Sequence, residues 1–270
     1  MGHTGTLDPL ASGVLVLCVG MATRLAEYVQ RMDKTYRTDI RLGARSDTDD
    51  DEGTVVPVAV EAPPQQALVT RALDELAGEI DQTPPNYSAA KVAGRRAYDL
   101  ARGGKAVSLQ PRRVHVYRID LNAYDFPRLD LTIHCSKGTY IRSLARDLGE
   151  RLGCGALVET LRRLRVGRFS VGDAVGLDVD SATARSRLLP VEAAVSDLPS
   201  AQLQRGEIAR LRHGQAVSHS DIAFWDQLPS RGGDVAIFDE SHSFVGLAKA
   251  EREERKLYPE KMLTLASGAC

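Results

Sequence analysis

Apolar side chains recur along this chain in two rhythms, and the switches between them lay out its elements. Between Ala22 and Met32, the residues Leu25, Ala26, Val29 and Met32 fall at helical spacing. Thr35 to Leu42 alternates instead, which predicts a strand with Tyr36, Thr38 and Ile40 on one face. The continuous apolar run Val14 to Val19 predicts a buried strand, entered from a loop over Gly2 to Gly13. Gln65 to Leu76 reads as an amphipathic helix ended by Gly78. Pro84 and Pro85 break the chain, and Arg95 to Arg102 predicts a short basic helix closed by Gly103 and Gly104. Val114 to Leu121 and Leu129 to Cys135 predict a β pair. Tyr140 to Leu152 predicts a helix with Leu144, Leu148 and Leu152 at spacing four and Gly153 as its stop, and Leu157 to Val166 leads into another strand.

Beyond about Leu188 the pattern changes. A helix and connector run to Pro199. Short strands follow at Ala216–Val217, Asp234 to Phe238, Ser243 to Lys249 and Lys261 to Leu265, separated by the turns Pro229 to Gly233 and Asp239 to Ser243. These predict a main domain over residues 1–190 and a small β-rich domain over 199–267. Strands and helices are mixed without regular βαβ alternation, which favours α+β over a doubly wound sheet. A length of 270 residues suits one sizeable core and a small second one.

Composition adds little: 43% hydrophobic and 26% charged residues describe an ordinary globular protein and exclude disordered and fibrous classes. The formal net charge of -1 argues against a uniformly basic nucleic-acid binder. The charges are segregated, however. Lys91, Arg95, Arg96, Arg102, Lys105, Arg112, Arg113 and Arg118 face one acid, Asp99. Lys137, Arg142, Arg146, Arg151, Arg162, Arg163, Arg165 and Arg168 face only Asp147, Glu150 and Glu159. A phosphate-binding face on a near-neutral protein needs this segregation, and a set of solvated helix faces accounts for it equally. The cysteines Cys18, Cys135, Cys154 and Cys270 form no C-x-x-C pair, and Cys18 and Cys135 sit in apolar surroundings, so a disulfide framework is not expected. No apolar run approaches the ~18 residues of a membrane span, and no basic segment precedes Val14 to Val19. The expected location is the cytoplasm, with no membrane partner.

Three stretches carry candidate chemistry. In Gly2-His3-Thr4-Gly5-Thr6-Leu7-Asp8-Pro9-Leu10-Ala11-Ser12-Gly13, Pro9 restricts Asp8 to an extended conformation, so a carboxylate points in one direction from a stiff loop. An isolated Asp-Pro is more often a turn, but the flanking glycines permit close approach of a ligand or another backbone. In Asp33-Lys34-Thr35-Tyr36-Arg37, a tyrosine entering a strand is more often packing than catalytic. In Cys135-Ser136-Lys137-Gly138-Thr139-Tyr140-Ile141-Arg142, Gly138 and Thr139 read as turn and N-cap. Arg142 then falls in the first helical turn, where the positive dipole end disfavours a cation; a buried carboxylate or a phosphate would justify it. The acidic loop Asp47-Thr48-Asp49-Asp50-Asp51-Glu52-Gly53 fails the EF-hand pattern, with Glu52 where glycine is needed. Zinc spacing, a P-loop and a dinucleotide fingerprint are also missing, so neither metal nor cofactor is expected.

Taken in order, these blocks resemble the TruB family of tRNA pseudouridine synthases. Gly2 to Pro9 followed by Gly13 resembles the family signature. Asp33 to Tyr36 resembles its tyrosine motif, and Leu42-Gly43 with Ser46-Asp47-Thr48-Asp49 its next block, with serine where threonine is usual. Tyr87-Ser88-Ala89 and Lys91 resemble the start of its RNA-gripping insertion, about residues 84–113. Ser136 to Arg142 resembles its arginine motif and Leu161-Arg162-Arg163-Leu164 a further block. Val235 to Phe238 and Phe244 to Leu247 resemble a PUA-type RNA-binding domain. The resemblance implies a mixed, largely antiparallel sheet with flanking helices, and isomerisation of uridine-55 in the tRNA T-loop. It implies Asp8 as the essential aspartate, acting as nucleophile or by deprotonation at the ribose. Tyr36 is implied as the residue stacking on the base and a candidate for proton transfer, and Arg142 as partner of the aspartate. Substrate contacts are implied for His3, Tyr140, Leu161, Lys91, Arg95 and Arg96. A flipped base needs such an aromatic platform and a space-filling side chain. The partner implied is the tRNA T-arm, with no obligatory protein partner and a monomeric chain.

The family carries a stretch before Gly-His-Thr-Gly, with a Lys-Pro-x-Gly-x-Thr-Ser motif and a first strand, where this sequence has Met1. Either the natural start lies upstream or a core strand is lacking, which would expose a sheet edge. The alternative function is therefore a non-catalytic tRNA-binding or folding factor.

Overall fold

The structure is a computed structural model and describes residues 1–88, 91–92, 95–96, 109–229 and 231–263. Its residues group into two compact units: Gly5–Val16 with Gln30–Ala174, and Met1–Thr4 with Leu17–Val29 and the stretch from Val175 on. Residues 175–190 and two N-terminal pieces thus group with the C-terminal part, whereas the sequence pattern drew a single boundary near residue 190.

The larger unit is built on a seven-stranded sheet. Its strands are β1 (Ala11–Gly13), β2 (Lys34–Leu42), β3 (Gly78–Gln82), β4 (Arg112–Asp125), β5 (Arg128–Cys135), β6 (Ala156–Val166) and β7 (Phe169–Ser170). The order is β7-β6-β2-β5-β4-β3, antiparallel throughout, with β1 lying parallel on β6. Along β2 the alternation holds: Thr38, Ile40 and Leu42 are buried while Arg37 is exposed. The buried face meets two helices, α1 (Gln66–Asp74) and α2 (Ile141–Arg151). Val69, Leu73, Leu144 and Leu148 from the helices pack with Ile40, Leu129, Leu131 and Ile133 from the sheet. The other face is polar. Arg37 forks onto Asp130 at 3.1 and 2.7 Å, and Arg41 and Arg128 both reach Glu159 at 3.4 Å. An antiparallel sheet can leave one face in water, and this one does.

The smaller unit has a five-stranded sheet of β8 (Ser200–Gln202), β9 (Val217–Ser218), β10 (Gly233–Phe238), β11 (Phe244–Glu251) and β12 (Lys256–Met262), in the order β8-β10-β11-β12-β9. Phe224, Trp225, Leu211 and Val235 are among its core residues. Helix α3 (Arg205–Arg212) is opened by a reciprocal cap between Gln204 and Glu207.

Several expectations are corrected. Val14 to Val19 is not a buried strand: only Leu17–Cys18 is extended, pairing with Gly2–His3, and Leu15, Leu17 and Val19 are more than two-fifths exposed. The run is apolar, but a two-stranded ribbon covers one side of it at most. The loop over Gly2 to Gly13 likewise holds two short extended pieces, since Ala11–Gly13 docks on β6. Gly20–Leu25 is 3-10 before the α-helix Ala26–Arg31 begins. Arg95–Arg96 is extended, paired with Lys91–Val92, where a basic helix was expected; the rest of that helix lies outside the described residues. Strand β12 begins at Lys256, ahead of the expected Lys261, because Pro259 falls at a register shift where its missing N–H is tolerated. Among the described residues no helix is long and apolar enough to cross a membrane.

Helix α2 seats directly on the start of β6. A Cβ on Gly149 would lie 2.2 Å from the Ala156 nitrogen and 2.3 Å from the Gly155 carbonyl carbon. Both obstacles are backbone and cannot swing aside. Gly149→Ala is therefore expected to lose about 1–3 kcal/mol of stability despite alanine's better helix propensity, read by urea unfolding; a stability at or above the parent's would contradict this packing.

Candidate active site

The site is built around Arg142, the second residue of α2, whose side chain is only 4% exposed. Its Nε and Nη2 donate to the two carboxylate oxygens of Asp8, each at 2.9 Å. Nη1 donates to the Thr48 carbonyl at 2.9 Å and lies 3.3 Å from an Asp50 oxygen, and Nη2 also reaches the Tyr87 carbonyl at 3.0 Å. The carboxylate that Arg142's place in the helix demanded is thus supplied twice. Asp8 keeps 31% of its side chain exposed, whereas Asp50 keeps 3%. Asp8 is accessible to a ligand and Asp50 is a buried counter-ion.

The acidic loop around Asp50 is fastened to β6. Val158 donates to the Asp49 carbonyl and Asp51 donates to the Val158 carbonyl, each at 3.1 Å. Asp49 adopts a left-handed conformation (φ 62°) and accepts from Arg146 at 3.0 Å. Burial nevertheless pushes the Asp49 carboxyl up to about 6, against the lowering pull of Arg146 and Arg142.

The helix start differs from the expected N-cap. Thr139 turns back to donate to the Ser136 carbonyl, and Tyr140 occupies the cap position. Gln82 from β3 takes over the capping: it accepts from the Tyr140 N–H at 2.8 Å and donates to the Tyr140 carbonyl at 3.1 Å. At 1% exposure it ties α2 to the sheet from within.

Tyr36 on β2 is half-buried and packs against the core. Burial pushes its phenol up to about 12; Cys135 and Asp8 add to the rise and Arg163 opposes it. Leu161 on β6 is buried opposite Thr38 and Ala11, giving an apolar wall. Asp8 and Arg142 are therefore in contact, Tyr36 and Leu161 occupy neighbouring strands, and Tyr140 lies two residues before Arg142 in the chain. His3 is exposed in a two-residue strand of the other compact unit. Lys91, Arg95 and Arg96 lie in their own small ribbon, and their side chains fall outside the described residues. Sequence reasoning missed Asp50, Gln82 and Arg163. Asp50 carried a signal, as an acid in a loop while Arg142 needed a carboxylate, and Arg163 stood within the Leu161-Arg162-Arg163-Leu164 block; Gln82 carried none. Among the described residues no three His, Cys, Asp or Glu side chains are grouped to hold a metal ion.

A partly exposed carboxylate is thus locked to a buried arginine, with a tyrosine and a leucine on adjacent strands of an α+β sheet. The family model for the TruB pseudouridylate synthase N-terminal domain matches residues 1–141, and those for the tRNA pseudouridylate synthase B and pseudouridine synthase II TruB C-terminal domains match 142–196 and 199–263. The chain is 46% identical to a tRNA pseudouridine synthase B of Chromohalobacter salexigens, over 98% of this chain and 86% of that protein. It is 41% identical to the protein of that name in Burkholderia mallei, over 97% and 87%. Among solved structures, a chain of a Cbf5-Nop10-Gar1 complex matches with TM-score 0.71 at 27% identity, over 97% of this chain and 75% of that one. An archaeal box H/ACA Nop10-Cbf5 complex shares the fold, with TM-score 0.67 at 24% identity over 97% and 76%. This chain belongs to the TruB family of pseudouridylate synthases, and its α+β fold with a β-rich C-terminal domain is that of the family.

Removing Asp50 strands half of Arg142's charge in the interior. Asp50→Ala is expected to cost about 3–5 kcal/mol, whereas Asp120→Ala, which breaks an exposed pair with Arg118, should cost no more than about 1 kcal/mol; equal losses in urea unfolding would show that Asp50 is not a buried counter-ion.

Proposed function

We propose that this chain isomerises uridine to pseudouridine at position 55 in the T-loop of tRNA. The observation that carries the reading is the two-point pair between Asp8 and Arg142, set beside Tyr36 in a chain of this family. The relatives named tRNA pseudouridine synthase B support tRNA as the substrate.

The reaction breaks the N1–C1′ glycosidic bond, turns the uracil and makes a C5–C1′ bond; a proton leaves C5 and N1 gains one. Atoms and electrons balance within the nucleotide, so the protein has to supply position, charge and proton transfer. A stacked uridine cannot rotate, so the nucleotide is first flipped out, at a cost of a few kcal/mol. Tyr36 offers a stacking face and Leu161 an apolar wall that offset this cost. Asp8 starts cleavage, as nucleophile at C1′ or as base at the ribose. Arg142 holds both carboxylate oxygens and so fixes the direction of approach. With its phenol up to about 12, Tyr36 is neutral at physiological pH. It is suited to donate a proton and not to begin as a phenolate.

In this reading residues 84–113 grip the T-arm through Lys91, Arg95 and Arg96, with His3 and Tyr140 as further substrate contacts. Residues 199–267 form a PUA-like RNA-binding domain, where Arg205, Arg212 and His213 share one groove with Asp239 and Glu240. The enzyme works as a monomer in the cytoplasm.

The test is single-turnover conversion of an unmodified tRNA transcript, with the product position mapped. Asp8→Asn is expected to slow product formation by more than about 100-fold while leaving transcript affinity at the parent's level. Tight binding without product from the parent chain would favour a tRNA-binding factor; product elsewhere than the T-loop would overturn the assigned position.

A further inference from the structure

Two buried cations, Lys34 and Arg163, stand outside this mechanism. Arg163 on β6 is 3% exposed and is the register partner of Tyr36 on β2. Its Nε donates to the Val14 carbonyl at 2.8 Å and its Nη2 to the Gly5 carbonyl at 3.2 Å. Those two carbonyls bracket the segment that carries Asp8. The main chain repeats the connection: Gly13 is Arg163's parallel partner, and Val14 donates to the Arg163 carbonyl at 2.9 Å. Gly13 has φ +104°, and a Cβ there would fall 2.2 Å from the Arg163 oxygen, so the loop lies as close to β6 as backbone allows.

The charge of the same guanidinium lowers the Tyr36 phenol against the rise that burial gives it. It also helps hold the buried Lys34 ammonium down at about 8, after burial itself. The hydrogen-bond partners of the Arg163 side chain are thus two backbone carbonyls, groups that fix a position more than they neutralise a charge. Retaining a buried cation among such partners is costly unless its geometry is needed.

We propose that Arg163 is a positioning residue for the isomerisation, one planar side chain that fastens both ends of the Asp8 loop to β6 directly across from Tyr36 on β2, and so sets the distance between the two reacting groups. Lysine cannot replace it, because a point charge on a flexible stem lacks the fixed donor directions that reach two acceptors at once. The proposal rests on the reading of Asp8 and Tyr36 given above.

The experiment is single-turnover release of tritium from a tRNA transcript labelled at uridine C5, with enzyme in saturating excess. The parent is compared with Arg163→Lys, Arg163→Met and Asp8→Asn, each checked for a cooperative thermal transition and for transcript affinity. Both Arg163 variants are expected to lose about 100-fold in the saturated rate with affinity unchanged, and lysine is expected not to rescue the rate that methionine loses. A folded variant with the parent's rate would overturn the proposal. So would a loss confined to affinity, full rescue by lysine, or failure of both variants to fold, which would make Arg163 a plain core residue. Parental turnover by Asp8→Asn would instead sink the reading on which the proposal rests.

Discussion

A guanidinium inside a protein must be answered by charge and by acceptors, and Arg142 draws its answers from three distant stretches of chain. Asp8 comes from the N-terminal loop, Asp50 and the Thr48 carbonyl from the acidic loop, and the Tyr87 carbonyl from beyond the proline break. The magnitudes favour this arrangement. A cation at a helix N-terminus is disfavoured by about 0.3–1 kcal/mol, while each hydrogen bond to a charged group contributes about 1.5–3 kcal/mol. Several such bonds outweigh the dipole easily. Left unanswered, the same charge would destabilise the fold by several kcal/mol, so folding and assembly of the site are one event.

The sheet makes that convergence repeatable. Its buried face is stiffened by Ile40, Leu129, Leu131 and Ile133 against the leucines of α2, and the Gly149 contact leaves the helix no latitude at its far end. At the near end Gln82 holds Tyr140 by both main-chain groups. Arg142 is therefore carried by an element fixed at both ends, and the more mobile kind of structure, the loop, is what is brought to it. Catalytic groups on loops gain precision when the scaffold decides where the loops may rest.

Much of this was legible in the sequence where the signal is local. Period-2 alternation in Thr35–Leu42 and period-4 leucines after Tyr140 report a surface with one wet and one dry side, and the elements formed accordingly. Pro9 reports a restricted Asp8, and the misplaced cation at Arg142 reports a missing anion. What was not legible depends on partners far along the chain. Nothing in Val14–Val19 says that half of it stays exposed, and nothing near Thr139 says that a glutamine some 58 residues away will cap the helix in its stead. Arg163 reads as one more member of a basic run until strand register sets it beside Tyr36.

The parallel seam between Ala11–Gly13 and Leu161–Arg163 also has a consequence in time. Its two halves are about 150 residues apart, so the first is synthesised long before the second exists. The Asp8 loop leaves the ribosome with nothing to lie against, and waits through the whole of the intervening sheet. Contacts of such long range close late, because the entropy of closing the loop must be met before they give anything back. A nascent chain arrested short of β6 can hold most of a folded sheet and still leave the Asp8 loop without the strand it lies against.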